Sequence, residues 1–235
     1  MKGLFVLLLL LASRAFAKSV DTYGAVPFIS VTKGLGPRVD LNVYHKGLFN
    51  LTERSLSGKT FKARDTQAYF QTSLGYKLSP GLSLAFGYVY QRNNPFDVDF
   101  SNEHRLFQQA VLSQSLKELV LSHRFRFEER SIDSRGGHQN KTRLRYQIGA
   151  NAPLEGRQLD PGEWYLNAYN EFFFSTTGER ESFYSEDRVY AGAGYLTVDW
   201  GKIEVGPIAQ YTVINRDKDA RIFYALQVGW ILKFK

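Results

Sequence analysis

The chain has 235 residues, 15% of them aromatic, no cysteine and a formal charge of +7, yet its mean hydropathy is negative at −0.31. Without cysteine there is neither a disulfide framework nor a thiolate metal site, and no linker or composition break marks a second domain. The basic residues are dispersed rather than gathered in a run or a recognition helix, which argues against nucleic acid and for contact with anionic lipid.

Lys2, the apolar run from Leu4 to Ala12 and Ala15-Phe16-Ala17 form the charged, greasy and small-residue regions of a secretory leader, so residues 1–17 are expected to be removed by cleavage after Ala17. The run is shorter than the roughly 20 residues of a spanning helix, and Arg14 interrupts it. Cleavage would take away Lys2 and Arg14 and lower the charge from +7 to +5. No later stretch is long and apolar enough to be a spanning helix. A membrane-spanning form of this chain must therefore be a closed barrel.

From Tyr23 onward the chain reads as strands. Ala25 to Thr32 and Arg38 to Lys46 flank the turn Gly34-Leu35-Gly36-Pro37, and Leu51 to Arg64 is polar, as in a long loop. Ala68, Phe70, Thr72, Leu74, Tyr76 and Leu78 make one face of a strand, Ser79-Pro80-Gly81 is its turn, and Leu82, Leu84, Phe86, Tyr88 and Tyr90 return on the matching face. After a polar loop at 92–103, a hairpin runs from Arg105 to Arg130, with Leu119, Leu121, Phe125 and Phe127 outward and Arg124, Arg126, Glu128 and Arg130 inward. Residues 131–140 are expected to be another long loop. Strands follow around Arg143 to Ala150, Trp164 to Phe174, Arg188 to Tyr195 and Ile203 to Val213.

The last strand, from Ala220, places Ile222, Tyr224, Leu226, Val228, Trp230, Leu232 and Phe234 on one face, the period of two of a strand against an apolar medium. Within it Gln227-x-Gly229-x-x-Leu232-x-Phe234 is similar to the C-terminal signal of bacterial outer-membrane barrels, with the aromatic residue next to last instead of last. Connections alternate short and long along most of the chain, as periplasmic turns and extracellular loops do; residues 152–162 are the exception. The fold expected is an all-β, antiparallel up-and-down transmembrane barrel over residues 18–235. About eleven strands are legible, whereas single-chain bacterial barrels have even numbers. Ten strands result if the first segment, which holds Pro27, does not span; twelve result if one strand is hidden.

The segments around Ser122 to Arg130, Arg143 to Gly149, Tyr165 to Phe173 and Asp187 to Tyr195 resemble a bacterial family catalogued only as domain of unknown function 2490. The resemblance covers most of the chain after the leader and implies an outer-membrane barrel. It implies no activity, cofactor or catalytic residue.

Strand parity sends Arg124, Arg126, Glu128, Arg143, Arg145, Tyr169, Glu171, Arg188 and Tyr190 into the lumen. Charges in a narrow barrel must pair, so a plug of arginine–carboxylate bridges with Tyr169 and Tyr190 as hydrogen-bond partners is expected. Five arginines face two glutamates in this set, and a wet constriction of that sign would take a small anion. Gly192 and Gly194 are expected to make room for large lumen neighbours such as Tyr169. The expected partners are outer-membrane lipids, lipopolysaccharide and the barrel-assembly machinery. No cofactor is expected. The other reading is a barrel enzyme acting on outer-membrane lipids. Adjacent Ser122 and His123 point to opposite faces and make no nucleophile–base pair, while His45, His104 and His138 are placed at strand ends or loops, without catalytic or metal-binding spacing.

Overall fold

A computed structural model describes residues 18–177 and 182–234; the expected leader lies outside them. Strands β1 (Ser19–Gly34), β2 (Val39–Asn50), β5 (Arg64–Ser79), β6 (Leu82–Asn93), β7 (Ser101–Leu116), β8 (Leu119–Ser134), β9 (Gly137–Pro153), β10 (Trp164–Ser175), β11 (Tyr184–Leu196), β12 (Lys202–Val213) and β13 (Ala220–Phe234) close into one barrel of eleven. The short strands β3 (Arg54–Leu56) and β4 (Lys59–Phe61) form a separate hairpin, in the segment read from sequence as plain loop.

All ladders in the barrel are antiparallel except one. β1 lies parallel to β13, with Ser19 beside Ala220 and Lys33 beside Phe234. The count is thus neither ten nor twelve: the first segment belongs to the wall, and the odd number is accommodated by a parallel seam. Pro27 is tolerated because the β1–β2 ladder is interrupted there, between the pairs Ala25–Phe49 and Phe28–Lys46, where no N–H is required.

At one end the strands are joined by residues 35–38, 80–81, 117–118, 154–163 and 197–201; at the other by 51–63, 94–100, 135–136, 176–183 and 214–219. Residues 131–140 are not a loop. β8 and β9 run on to Ser134 and from Gly137, meeting at a two-residue turn.

Side chains alternate between two environments. The outer wall exposes Phe70, Leu74, Phe86, Leu106, Phe125, Leu144, Leu166, Val205, Leu226 and Val228. Rings gather at its two ends: Trp164 with Tyr195 and Trp200 with Trp230 at the short-turn end, Tyr23 with Tyr224 and Tyr184 with Tyr211 at the other. Inside, Val26, Leu48, Tyr190, Ile208, Phe223 and Ala225 pack together, as do Tyr69, Val89 and Phe107. Charged and amide side chains fill the space between.

Candidate functional site

The interior charges are centred on Glu128 of β8, which is 0% exposed. Register sets Arg143 directly opposite it on β9 and Arg145 opposite Arg126. Glu128 accepts hydrogen bonds from Arg143 Nε and Nη2 at 2.9 and 2.5 Å and from Arg145 Nη1 at 2.7 Å, while Arg126 and Arg105 approach it to 3.6 and 3.9 Å. Glu171 of β10 takes Arg124 Nη2 at 2.6 Å and Arg145 Nε at 2.8 Å. Arg145 therefore bridges two carboxylates in charge-assisted geometry.

Aromatic faces separate the cations. Phe173, 0% exposed, lies under the guanidiniums of Arg188, Arg145 and Arg143 at 4.5, 4.6 and 5.0 Å, and Phe107 lies 4.0 Å from Arg126. Stacked guanidiniums keep their in-plane N–H groups free for oxygen acceptors. Arg126 gives two of its N–H groups to Gln109 and one to Gln71. β5 and β8 are not neighbours in the ring, so the Gln71 bond crosses the interior.

All nine residues expected in the lumen point inward, but not all meet. Arg124, Arg126, Glu128, Arg143, Arg145 and Glu171 form one cluster. Arg188 instead pairs with Glu186 at 2.5 Å. The tyrosines are not hydrogen-bond partners of the ion pairs: Tyr169 and Tyr190 stack at 5.1 Å, Tyr169 donates to Gln227 at 3.2 Å, and the Tyr190 hydroxyl has no partner among the described residues. Gly192 and Gly194 make room for Tyr190 and Tyr165, not Tyr169, since an added Cβ would come within 2.3 Å of the first and 2.2 Å of the second.

Sequence reading missed Lys46, Glu103, Arg105, Glu186 and Glu204. Glu103 accepts from Arg105 Nε at 2.6 Å and from Arg130; Glu204 accepts from Tyr165 at 2.7 Å. The parity of Phe107 with Glu103 and Arg105 was the available signal. With these included, eight basic side chains (Lys46, Arg105, Arg124, Arg126, Arg130, Arg143, Arg145, Arg188) stand against five glutamates (103, 128, 171, 186 and 204) around a cavity of about 330 Å³. Basic side chains thus outnumber carboxylates in this interior.

In the terminal motif Gln227 and Gly229 face inward and are buried, whereas Phe234 is exposed. Gly229 lies opposite Phe28 across the seam, and the Phe28 ring covers it so closely that a Cβ would sit 1.9 Å from a ring carbon. Leu232 is partly exposed.

Ser122 and His123 face opposite ways as expected: Ser122 donates to the Gly149 carbonyl at 3.4 Å, and His123 Nδ1 meets the Tyr146 hydroxyl at 2.9 Å. His45 and His104 sit within strands, not at ends or in loops. His104 Nδ1 is 2.5 Å from the Tyr88 hydroxyl, and its cross-strand partner on the outer wall is Ser131. Both line a crevice of about 540 Å³.

Fold and site together define a closed β-barrel with ion pairs inside and an apolar coat outside. Within that class the chain belongs to the family described as "Protein of unknown function (DUF2490)", which matches residues 38–221. The match takes in every charged member of the interior cluster and leaves out β1 and most of β13. No curated protein and no solved structure matches the chain.

Proposed function

We propose that the protein is an integral outer-membrane β-barrel, delivered by the leader at 1–17, whose interior is a structural plug of arginine–glutamate bridges. One observation carries this reading: polarity is inverted, with apolar side chains exposed in a band between two aromatic zones and charges buried inside. A water-soluble barrel would expose the charges and bury the band, whereas aromatic girdles around a lipid-facing belt suit a bilayer. Cleavage after Ala17 would leave the α-amino group of Lys18 beside Asp219, whose Oδ1 is 2.9 Å from that nitrogen. Assembly through Gln227, Gly229, Leu232 and Phe234 by the barrel-assembly machinery, and contact with lipopolysaccharide, belong to the same reading.

The interior bonds leave at most a narrow path, and its positive surplus would favour anions. Outer-membrane fractions run unboiled and boiled on a gel test the barrel, and planar-bilayer recording tests the plug. A heat-dependent mobility shift without current is the expected result. Discrete anion-selective steps would replace the plug by a channel, and a soluble periplasmic location would end the membrane reading.

The His104–Ser131 pair favours a second reading, a barrel enzyme acting on outer-membrane lipids. In the tautomer whose Nδ1–H donates to the Tyr88 oxygen, Nε2 is free to take the proton of a serine attacking a lipid ester and to return it to the alcohol that leaves as the ester C–O bond breaks. Phospholipid hydrolysis by the purified protein that vanishes in both His104→Ala and Ser131→Ala would promote it; no hydrolysis by the folded protein would remove it.

A further inference from the structure

The small hairpin β3–β4 lies over the long-connection mouth of the barrel. It is tied down by Ser57, which donates to Asp219, and by Phe61, which is only 8% exposed. Beneath it is a cavity of about 380 Å³ whose lining includes Lys59, Arg130, Arg143, Arg221, Ser185 and Thr212.

Arg221 is the anomaly there. Its guanidinium lies between the rings of Phe61 and Phe223 at 4.8 and 4.9 Å, and its Nε donates to Thr22 Oγ1 at 2.8 Å. Its Nη2 is buried and unpartnered among the described residues. The interior arginines described above each lie within 4 Å of a glutamate; Arg221 has no such partner among the described residues. Lys59 lines the same cavity, and partial burial and the Arg221 guanidinium together push its ammonium below its ordinary value. Glu186 lines the same cavity but is taken by Arg188 at 2.5 Å.

A buried N–H without an acceptor costs about 1–3 kcal/mol, and two adjacent cations without a counter-ion add repulsion. Both are relieved by one ligand type, an anion that carries several acceptor oxygens. We propose that this mouth is a binding site for a phosphate-class oxyanion, gripped by Arg221 and Lys59 with the Thr212 hydroxyl beside it. Aromatic faces fix the plane of the guanidinium, so it presents a donor fork instead of a mobile charge. The buried Arg143, bonded to Glu128 in the interior, lines the cavity and places the site inside the mouth, which favours a phosphate on a soluble molecule over one in the surrounding bilayer.

The proposal is independent of whether the barrel conducts, because binding is read on full-length protein in detergent. Inorganic phosphate and dispersed phosphatidic acid are each titrated by calorimetry in excess chloride. Saturable phosphate binding is expected, weakened at least tenfold in Arg221→Gln, several-fold in Lys59→Gln and not at all in Lys77→Gln, whose ammonium pairs with Asp40 at the opposite end. Heat-modifiable mobility of Arg221→Gln shows that its barrel is closed, and Lys59→Gln, on the hairpin, leaves the wall intact. Binding of phosphatidic acid alone, still lost in Arg221→Gln, keeps the site and assigns it to a lipid headgroup. No saturable binding of either, or equal binding by Arg221→Gln, overturns it.

Discussion

Glu128 is the residue whose loss the interior can least absorb. Two arginines donate to it directly and two more lie within 4 Å, so Glu128→Gln would leave buried guanidiniums uncompensated. Breaking such a pair costs about 3–5 kcal/mol. The expected outcome is a lower temperature for the boiled-form gel shift, with Glu129→Gln, exposed on the same strand, unchanged. His138 offers a milder test at the hairpin tip. Its Nδ1 lies 2.8 Å from Asp133 and its Nε2 3.1 Å from Asn140, and these bonds raise its pKa. The contribution to the tip is therefore full below the unfolded value of about 6.5 and lost as pH rises through the folded value. An NMR titration should give a midpoint above that of a free histidine, falling in Asp133→Asn. Parity assigns each strand residue one of only two directions. It could not supply partners: Tyr169 and Tyr190 turned to each other and to Gln227, a choice set by strands distant in sequence.

Elements were legible where one of their faces is apolar. β5 and β6 alternate cleanly and were read almost residue for residue, whereas the ends of β8 and β9 carry polar residues on both faces, and there the period of two disappears although the ladder continues. Glu103, in the segment expected to be loop at 92–103, was hidden for the same reason. The β3–β4 hairpin has three residues per strand, too few to show any period. Its hold on the mouth depends on Asp219, whose carboxylate accepts from Ser57, Asn215 and the Lys18 N–H. These bonds hold its pKa below the usual carboxylate value. The lock is thus present above about pH 4 and lost as pH falls through the folded value, so protease cleavage within 54–61 should accelerate in acid, and at neutral pH in Asp219→Ala. At the seam, Gly229→Ala must displace the Phe28 ring. Overpacking of this kind costs about 1–3 kcal/mol, and the double variant with Phe28→Ala should recover part of it in a mutant cycle.

For the whole molecule, alternation and loop order implied a barrel, and the ring is closed. The even count did not hold, because the interrupted β1–β2 ladder accommodates Pro27 within the wall. An odd count has a geometric result: the chain enters the wall at the long-connection end and leaves it at the short-turn end. In the proposed membrane setting these ends face opposite compartments. The sequence has no cysteine, so single cysteines report directly: Ser19→Cys should react with an impermeant maleimide on intact cells, while Asp199→Cys, in the 197–201 turn, should react only after the envelope is opened. The reverse pattern would invert the orientation.

The seam also sets the order of events during synthesis. Every other ladder in the wall joins strands that follow one another along the chain, apart from the small hairpin between β2 and β5, and can form as a local meander. The two edges of the seam are 201 residues apart, so β1 is made first and waits longest with a bare row of N–H and C=O groups, a template for any stray strand. Closure is the last and slowest search. A nascent chain that stops before Ala220 is an open sheet with two sticky borders, and whatever escorts this protein must shield its first strand until its last one arrives.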